Sequence, residues 1–354
     1  MMMMISKYQE NMTEDRLLET HFFAFVLVSL LFLLLSGCSS PEEKLEKSRE
    51  HYMKGREAYV LFTPKDLEEA ITEYQKAIDL DKNNALPYAG LGEAYSFLAL
   101  LEEQNYDKRD SDLYNKSLRY SQKAVELAPA LGESHRALAS SYRALGKFEE
   151  AAKEAEKAIE LNPNDSEAYY VLWTLTGADV NSINIQKALE LNPNLSIAHN
   201  DLGYIYYTKG KYEKATEHLR RAIEINPDLI QAHTNLGLTL AAQKKFDEAA
   251  EEYRKAIEIN SDYLLAHYNL GVALGSQGKF DEAISEFEKA IQINPDFPEA
   301  YITLALAYDN KGETEKALEQ YQKFVDLASA NKSRYENLVA EAGNRIKKLQ
   351  KDDE

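Results

Sequence analysis

The sequence predicts an all-α solenoid built from stacked helical hairpins. Three observations support this prediction. The 354 residues are rich in charged and apolar helix formers and include only 15 Gly and 9 Pro, a mixture that favours helices. From residue 196 onward the sequence repeats every 34 residues. Within each repeat, two stretches with a helical apolar period are joined by a short turn such as Lys209-Gly210-Lys211.

The 34-residue period is clearest in four consecutive segments, 196–229, 230–263, 264–297 and 298–331. Each segment has Leu at its seventh position, a small residue at its eighth and Ala at its twentieth. These residues are Leu202, Leu236, Leu270 and Leu304; Gly203, Gly237, Gly271 and Ala305; and Ala215, Ala249, Ala283 and Ala317. Small side chains let the two helices of a hairpin approach closely. A single hairpin leaves one apolar face open, and stacking the hairpins buries it.

This pattern closely resembles the tetratricopeptide repeat family. The resemblance extends upstream to four less regular units, at 49–84, 85–131, 132–165 and 166–195. It implies a right-handed superhelix of about eight hairpins spanning 49–331. The second unit is 13 residues longer than the period, and we expect the extra stretch to form a loop or a lengthened hairpin tip. The fourth unit is four residues short and has Trp173 at its eighth position, where we expect the indole to fill the resulting gap.

The stretch 332–351 follows the last unit and carries apolar residues on one helical face. We predict that it is the polar-backed capping helix that repeat arrays need at their ends.

The amino-terminal segment is predicted to be a targeting signal rather than a folded domain. Residues 22–35 form an uninterrupted apolar run that is too short for a spanning helix and is typical of a secretory signal. The following Leu35-Ser36-Gly37-Cys38 resembles the lipobox of bacterial lipoproteins. That resemblance implies a signal peptide over 1–37, lipidation of Cys38, and a short tether over 38–48. The residues before the run are acidic, unlike a usual signal, so an uncleaved membrane anchor is the alternative.

The predicted location follows from the same motif. Ser39 stands after the cysteine, and the resemblance implies attachment to the outer membrane, facing the periplasm of a bacterial envelope. The acyl chains would make the lipid bilayer one partner of the protein.

The resemblance also implies where a ligand would bind. In tetratricopeptide repeat proteins, the first helix of each hairpin lines the concave surface at positions two, five, six, nine, twelve and thirteen. The residues predicted for a peptide-binding groove are Asn200, Asp201, Tyr204, Tyr207, Thr234, Asn235, Leu238, Tyr268, Asn269, Val272, Ile302 and Leu306. The sixth position recurs as Asp or Asn and could form a ladder that pairs with a peptide backbone. The alternative is that this residue is simply part of the repeat consensus.

Composition and motifs argue against other function classes. A net charge of −18 disfavours nucleic acid, whose phosphates are bound mainly by Lys and Arg. We expect no catalytic residues, cofactor, metal site or small-molecule substrate. Arg136 and Arg143 form a basic spot that could accept an acidic group or be solvated. Four histidines share the fourth position of their units, where other units have Tyr, and are predicted to pack; they are His135, His199, His233 and His267.

The sequence therefore predicts a membrane-anchored scaffold, and not an enzyme. Its concave groove would bind peptide segments or partner proteins during assembly of cell-envelope complexes. A second possibility is an adaptor that presents substrates or regulators to an envelope protease or a peptidoglycan hydrolase. Both remain open at this point.

Overall fold

The computed structural model describes residues 40–106, 110–329 and 332–352. The predicted signal peptide, Cys38, and part of the extra stretch in the second unit (107–109) lie outside these ranges. Within them the chain forms seventeen α-helices. The first eight are α1 (Pro41–Tyr59), α2 (Pro64–Leu80), α3 (Ala85–Tyr106), α4 (Ser111–Leu127), α5 (Gly132–Ala144), α6 (Phe148–Leu161), α7 (Ser166–Leu175) and α8 (Ile183–Leu191).

The regular half continues the same alternation. Its helices are α9 (Ser196–Thr208), α10 (Tyr212–Ile225), α11 (Ile230–Ala242), α12 (Phe246–Ile259), α13 (Leu264–Ser276), α14 (Phe280–Ile293), α15 (Pro298–Lys311), α16 (Thr314–Ala328) and the terminal α17 (Lys332–Asp352). Consecutive pairs form units 1 to 8, and α17 packs on α16. No helix of the described ranges is long and apolar enough to cross a membrane.

Unit 1 begins earlier than the repeat pattern suggests. Ser40 caps α1 by accepting a hydrogen bond from the Glu43 backbone N–H at 3.1 Å, and Pro41 occupies the first turn, where its missing N–H has no cost. Residues 41–48, which the sequence analysis placed in the tether, are therefore helical.

Close packing inside each hairpin explains the small residue at the eighth position. A Cβ added to Gly237 would lie 2.5 Å from the Tyr253 ring, and one added to Gly271 would lie 2.6 Å from the Phe287 ring. The large side chain on the second helix thus lies directly over the backbone of the first. This contact requires glycine, and it confirms the predicted close approach of the two helices.

In units 3 and 5 to 8 the turn inside the hairpin places one residue in the left-handed region. Gly146, Gly210, Gly278 and Gly312 hold this position with φ between 68° and 77°. Unit 6 has Lys244 there, with φ of 61°. A side chain disfavours this conformation, so Lys244 is a site of local backbone strain.

The two irregular units depart from the period in different ways. In unit 2 the extra residues lengthen α3. Some Cα atoms of α3 lie within 8 Å of Cα atoms of α13. In unit 4 both helices are short, and Trp173 is 1% exposed with its indole N–H donating to the Asp179 carbonyl at 2.8 Å. The prediction that Trp173 fills the gap is confirmed.

The turn between α1 and α2 contacts the middle of the array. Residues 60–62, called the α1–α2 tip below, reach unit 5, where the Asn226 side-chain amide donates to the carbonyls of Val60 at 3.3 Å and Leu61 at 3.0 Å. Phe62 is 7% exposed and belongs to the same apolar core as Trp173. The first unit therefore closes across the concave side onto units 4 and 5.

Candidate peptide-binding groove

The first helices of units 5 to 7 form a hollow at the predicted concave surface. Its volume is about 360 Å³, and it is lined from positions two, five, six and nine of these units, together with Tyr263. The lining residues are Asn200, Asp201, Tyr204, Gln231, Thr234, Asn235, Leu238, Tyr263, Leu265 and Asn269. Seven of the twelve residues predicted for the groove are thus brought together in one place.

The sixth-position residues Asp201, Asn235 and Asn269 line the same hollow, and the first two are joined through Asn200. The Asn235 side-chain N–H donates to Asn200 Oδ1 at 2.9 Å, and the Asn200 amide donates to Asp201 Oδ1 at 3.0 Å. The Tyr170 hydroxyl donates to the other oxygen of Asp201 at 2.8 Å. Asn200 is 4% exposed, so its role is to hold its neighbours. Asn235 and Asn269 are half-buried and lie where a peptide backbone could reach them.

Burial governs the electrostatics of Asp201. Desolvation raises the pKa of this carboxyl, although the hydrogen bond from Tyr170 opposes the shift. The Tyr170 hydroxyl likewise has a pKa well above its usual range because it is buried beside Asp201. The carboxyl and the hydroxyl form one polar pair at the edge of the hollow, next to unit 4.

The ninth position supplies a continuous apolar stripe. Tyr204, Val272 and Leu306 are 46%, 40% and 47% exposed, and Leu238 between them is half-buried. Leu338 of α17 is 38% exposed and lines a second hollow of about 420 Å³ together with Ile302 and Leu306. The stripe therefore extends along the concave side from unit 5 to the capping helix.

Three predicted groove residues also contribute to packing of the fold. Tyr268 packs against Phe287 and Phe297, with the ring centroids of Tyr268 and Phe297 5.2 Å apart, and burial raises the pKa of its hydroxyl to about 12. Thr234 is 3% exposed, and its hydroxyl donates to the Ile230 carbonyl. Tyr207 is half-buried beside Tyr204 and Tyr212. The two tyrosine rings are long enough to reach neighbouring rings, and the short Thr234 side chain bonds its own helix, so position number alone does not decide these contacts.

A buried charge cluster occupies the concave side of units 1 to 4. Arg136 forms ion pairs with Glu93 at 2.7 Å, Asp165 at 2.7 Å and Glu167 at 3.1 Å. Arg56 of α1 pairs with Glu167 at 2.5 Å and Glu93 at 3.3 Å. Burial opposes the charge of Arg136, but the carboxylates hold its pKa well above the usual range. Arg136 is therefore neutralised by its own chain and is not an open basic spot.

Beside this cluster the α1–α2 tip encloses a cavity of about 120 Å³. Arg143 and Tyr170 line it, as do the rings of Phe62 and Phe97, whose centroids are 4.8 Å apart. The tip and the cluster together fill the surface that a partner would need in units 1 to 4. Nothing in the repeat register indicated the cluster, because its five charges come from four different units.

Three of the four histidines at the fourth position make the same two contacts. In units 3, 6 and 7, the Nδ1 atom lies 2.6 to 2.7 Å from a Glu of the second helix, and Nε2 lies 2.9 to 3.0 Å from a carbonyl oxygen. These His residues therefore have a packing role, as predicted, and each one joins its own hairpin to the end of the preceding unit. The described ranges contain no group of three or more His, Cys, Asp and Glu residues that could hold a metal ion.

Comparison with known proteins agrees with this architecture. A TPR repeat model matches residues 58–96, 203–244 and 239–278, and tetratricopeptide repeat models match 132–165, 184–217, 265–297 and 286–319. Serine/threonine-protein phosphatase 5 of Rattus norvegicus is 31% identical over 107 residues, which are 30% of this chain and 19% of the phosphatase. Because the chain spans only about a fifth of that relative, the phosphatase activity is not transferred to it.

Two solved structures share the fold. The APC/C hetero-tetramer Cut9-Hcn1 aligns with a TM-score of 0.64 and 18% identity, covering 81% of this chain and 54% of that one. Yeast Tom70 aligns with a TM-score of 0.50 and 19% identity, covering 87% and 65%. Together with the seventeen-helix architecture, these matches show that the chain is a tetratricopeptide repeat solenoid.

Proposed function

We propose that the chain is a membrane-tethered scaffold that binds an extended segment of a partner protein along the concave side of units 5 to 8. The observation that carries this proposal is the exposed apolar stripe at the ninth position beside the half-buried amides of Asn235 and Asn269. An apolar stripe rimmed by amides can bury side chains of a peptide while pairing with its backbone.

The spacing of the stripe indicates what kind of segment fits. Neighbouring packed helices lie about 8–10 Å apart. An extended segment in the polyproline II conformation advances about 9 Å in a turn of three residues, so every third side chain faces the same way. We therefore expect the bound segment to carry an apolar side chain at every third position. The acidic balance of the protein favours a neutral or basic partner.

The proposed place of action is the bacterial cell envelope. The lipobox-like Leu35-Ser36-Gly37-Cys38 supports lipidation of Cys38, and Ser39 supports the outer membrane. Because α1 begins at Pro41, a lipidated Cys38 would be separated from the first helix by two residues. The first unit would then stand next to the lipid surface, with the groove of units 5 to 8 farther along the array.

Pull-down of crosslinked partners from envelope membranes tests the groove. The double variant Val272→Asp/Leu306→Asp introduces charge into the stripe at two exposed positions, so its fold should be retained. We expect at least a tenfold loss of the specific partner, since burying each side chain contributes on the order of 1 kcal/mol or more. Phe148→Asp, at a position 61% exposed on the second helix of unit 3, is the matched control.

Equal capture by the stripe variant and the control would refute binding at the concave side. The identity of the captured proteins separates a scaffold of envelope complexes from an adaptor for a protease or hydrolase. Labelling with a radioactive fatty acid tests the anchor independently. Label that is lost in Cys38→Ala supports lipidation, and unlabelled protein refutes it.

A further inference from the structure

One hairpin breaks the histidine rule of the array. In units 3, 6 and 7, the histidine at the fourth position faces a glutamate at the twenty-third. In unit 5 the twenty-third residue is His218, and its Nδ1 atom lies 3.1 Å from Nδ1 of His199. Two imidazoles therefore face each other through nitrogen atoms where the other three units place an imidazole against a carboxylate.

The surroundings of His199 define which nitrogen can act as a ligand. Its Nε2 atom lies 3.2 Å from the Pro193 carbonyl oxygen, which can only accept a hydrogen bond. Nε2 therefore carries the proton, and in the neutral ring the lone pair is on Nδ1, facing His218. A hydrogen bond from one ring nitrogen to a carbonyl is also the arrangement that orients a histidine bound to a metal ion.

We propose that His199 and His218 bind one divalent transition-metal ion, such as Zn²⁺, Cu²⁺ or Ni²⁺, through their two Nδ1 atoms. Two nitrogens that are each about 2.0–2.1 Å from a tetrahedral zinc ion are roughly 3.3 Å apart. The observed 3.1 Å needs only a small adjustment to reach this value. Neutral imidazole suits all three ions, and carboxylate-poor sites disfavour Mg²⁺ and Ca²⁺.

The remaining coordination positions face solvent. His199 and His218 line an open surface hollow together with Glu217 and Glu224, and neither imidazole is fully buried. Arg221, in the same hollow, is engaged by Glu224 at 2.7 Å and by Asn194 at 2.8 Å. Water or a group from another molecule would complete the metal's coordination, so the ion is exchangeable rather than structural.

The packing of the His218 ring supports the same assignment. Tyr206 stacks on the His218 ring with centroids 5.4 Å apart and limits its rotation. The pair is therefore held in place before any ion binds.

Calorimetric titration of the full chain with Zn²⁺ and with Ni²⁺ tests the proposal. We expect one equivalent to bind, with affinity at least tenfold weaker in His218→Glu, a variant that restores the His–Glu pair of units 3, 6 and 7 and should therefore fold. His199→Gln is the second variant and should show the same loss. His267→Gln is the matched control, because it removes an imidazole of an ordinary pair, and its binding should equal that of the parent protein.

Ring-nitrogen NMR identifies the ligands directly. On addition of one equivalent of Zn²⁺, the Nδ1 resonances of His199 and His218 should shift, and those of His233 and His267 should not. The proposal is overturned if binding persists unchanged in His218→Glu and His199→Gln. It is equally overturned if the parent protein binds no more Zn²⁺ than His218→Glu does, in which case the pair is a hydrogen bond between two neutral imidazoles.

Discussion

Closure of unit 1 onto unit 5 can be tested with a pair of matched asparagines. Asn226 and Asn294 occupy equivalent turns, and each accepts a hydrogen bond from the backbone N–H two residues later, at 3.1 Å and 3.0 Å. Asn226 alone of this pair also donates to the carbonyls of Val60 and Leu61 in the α1–α2 tip. Asn226→Ala removes the turn bond and the two tip bonds, whereas Asn294→Ala removes the shared turn bond.

The difference between the two variants measures the closure. A hydrogen bond contributes about 0.5–1.5 kcal/mol net, so the two tip bonds are expected to contribute about 1–3 kcal/mol. In an array where each unit otherwise contacts mainly its neighbours, this contribution stabilises unit 1 specifically. It corresponds to a change of roughly fivefold to 150-fold in the equilibrium for local opening of α1 and α2.

Hydrogen exchange of the native full chain is the appropriate assay, because it reports local opening rather than global unfolding. In Asn226→Ala, the amides of α1 and α2 should exchange faster by the factor given above. In Asn294→Ala they should exchange at the parent rate, and only units 7 and 8 should be affected. If both variants leave α1 and α2 equally protected, the contact between the tip and unit 5 does not contribute to stability, and the closure argument is refuted.

Three further predictions concern individual contacts. Arg136→Met should lower the free energy of unfolding, measured in urea, by about 3–5 kcal/mol, because it leaves buried carboxylates unpaired. Arg221→Met removes an exposed ion pair and should lower it by at most about 1 kcal/mol. Lys244→Gly should raise the free energy of unfolding by about 0.5–1 kcal/mol. Glycine relieves the strain of φ at 61°, although it also increases the entropy of the unfolded chain. An equal decrease in the free energy of unfolding would contradict this. Burial raises the pKa of Glu252 and Glu286, but hydrogen bonds from His and Lys outweigh it and lower both pKa values below 4.5. These two carboxylates therefore contribute fully to the stability of the fold above about pH 4.5, and their contribution is lost as the pH falls through the folded pKa values. Thermal unfolding at a series of acidic pH values measures this loss.

The repeat period predicted the fold because the interactions that define a hairpin are local. Gly237 and Tyr253 hold the eighth and twenty-fourth positions of unit 6. Units 5 and 7 bring the same two positions together, so the period fixes this contact in each of them. The place of the predicted groove residues follows from the same period, since a position on the first helix keeps its direction from unit to unit. Tyr268 is the instructive exception. Its position faces the concave side, but its long ring reaches back to Phe297 and is buried there.

Contacts across the superhelix could not be predicted in the same way. The bond between Asn226 and Leu61 spans 165 positions and depends on how far the array curves over four units. Curvature is the sum of small rotations between hairpins, and two of the three units between units 1 and 5 are irregular. Arg136 was visible as a charge in the sequence, but its partners Glu93 and Glu167 come from the unit before it and the unit after it.

These long-range contacts decide where the array can bind. The α1–α2 tip, the Arg136 cluster and the lengthened α3 all lie on the side that first helices normally leave open, and all belong to units 1 to 4. Units 5 to 8 share one continuous apolar core that runs to Leu349 of α17, and three of their four ninth-position side chains stay exposed. Units 1 to 4 are therefore closed on their concave side, and units 5 to 8 present the exposed concave surface. This division follows from packing alone, and it predicts that substitutions in the tip affect stability while substitutions in the stripe affect binding.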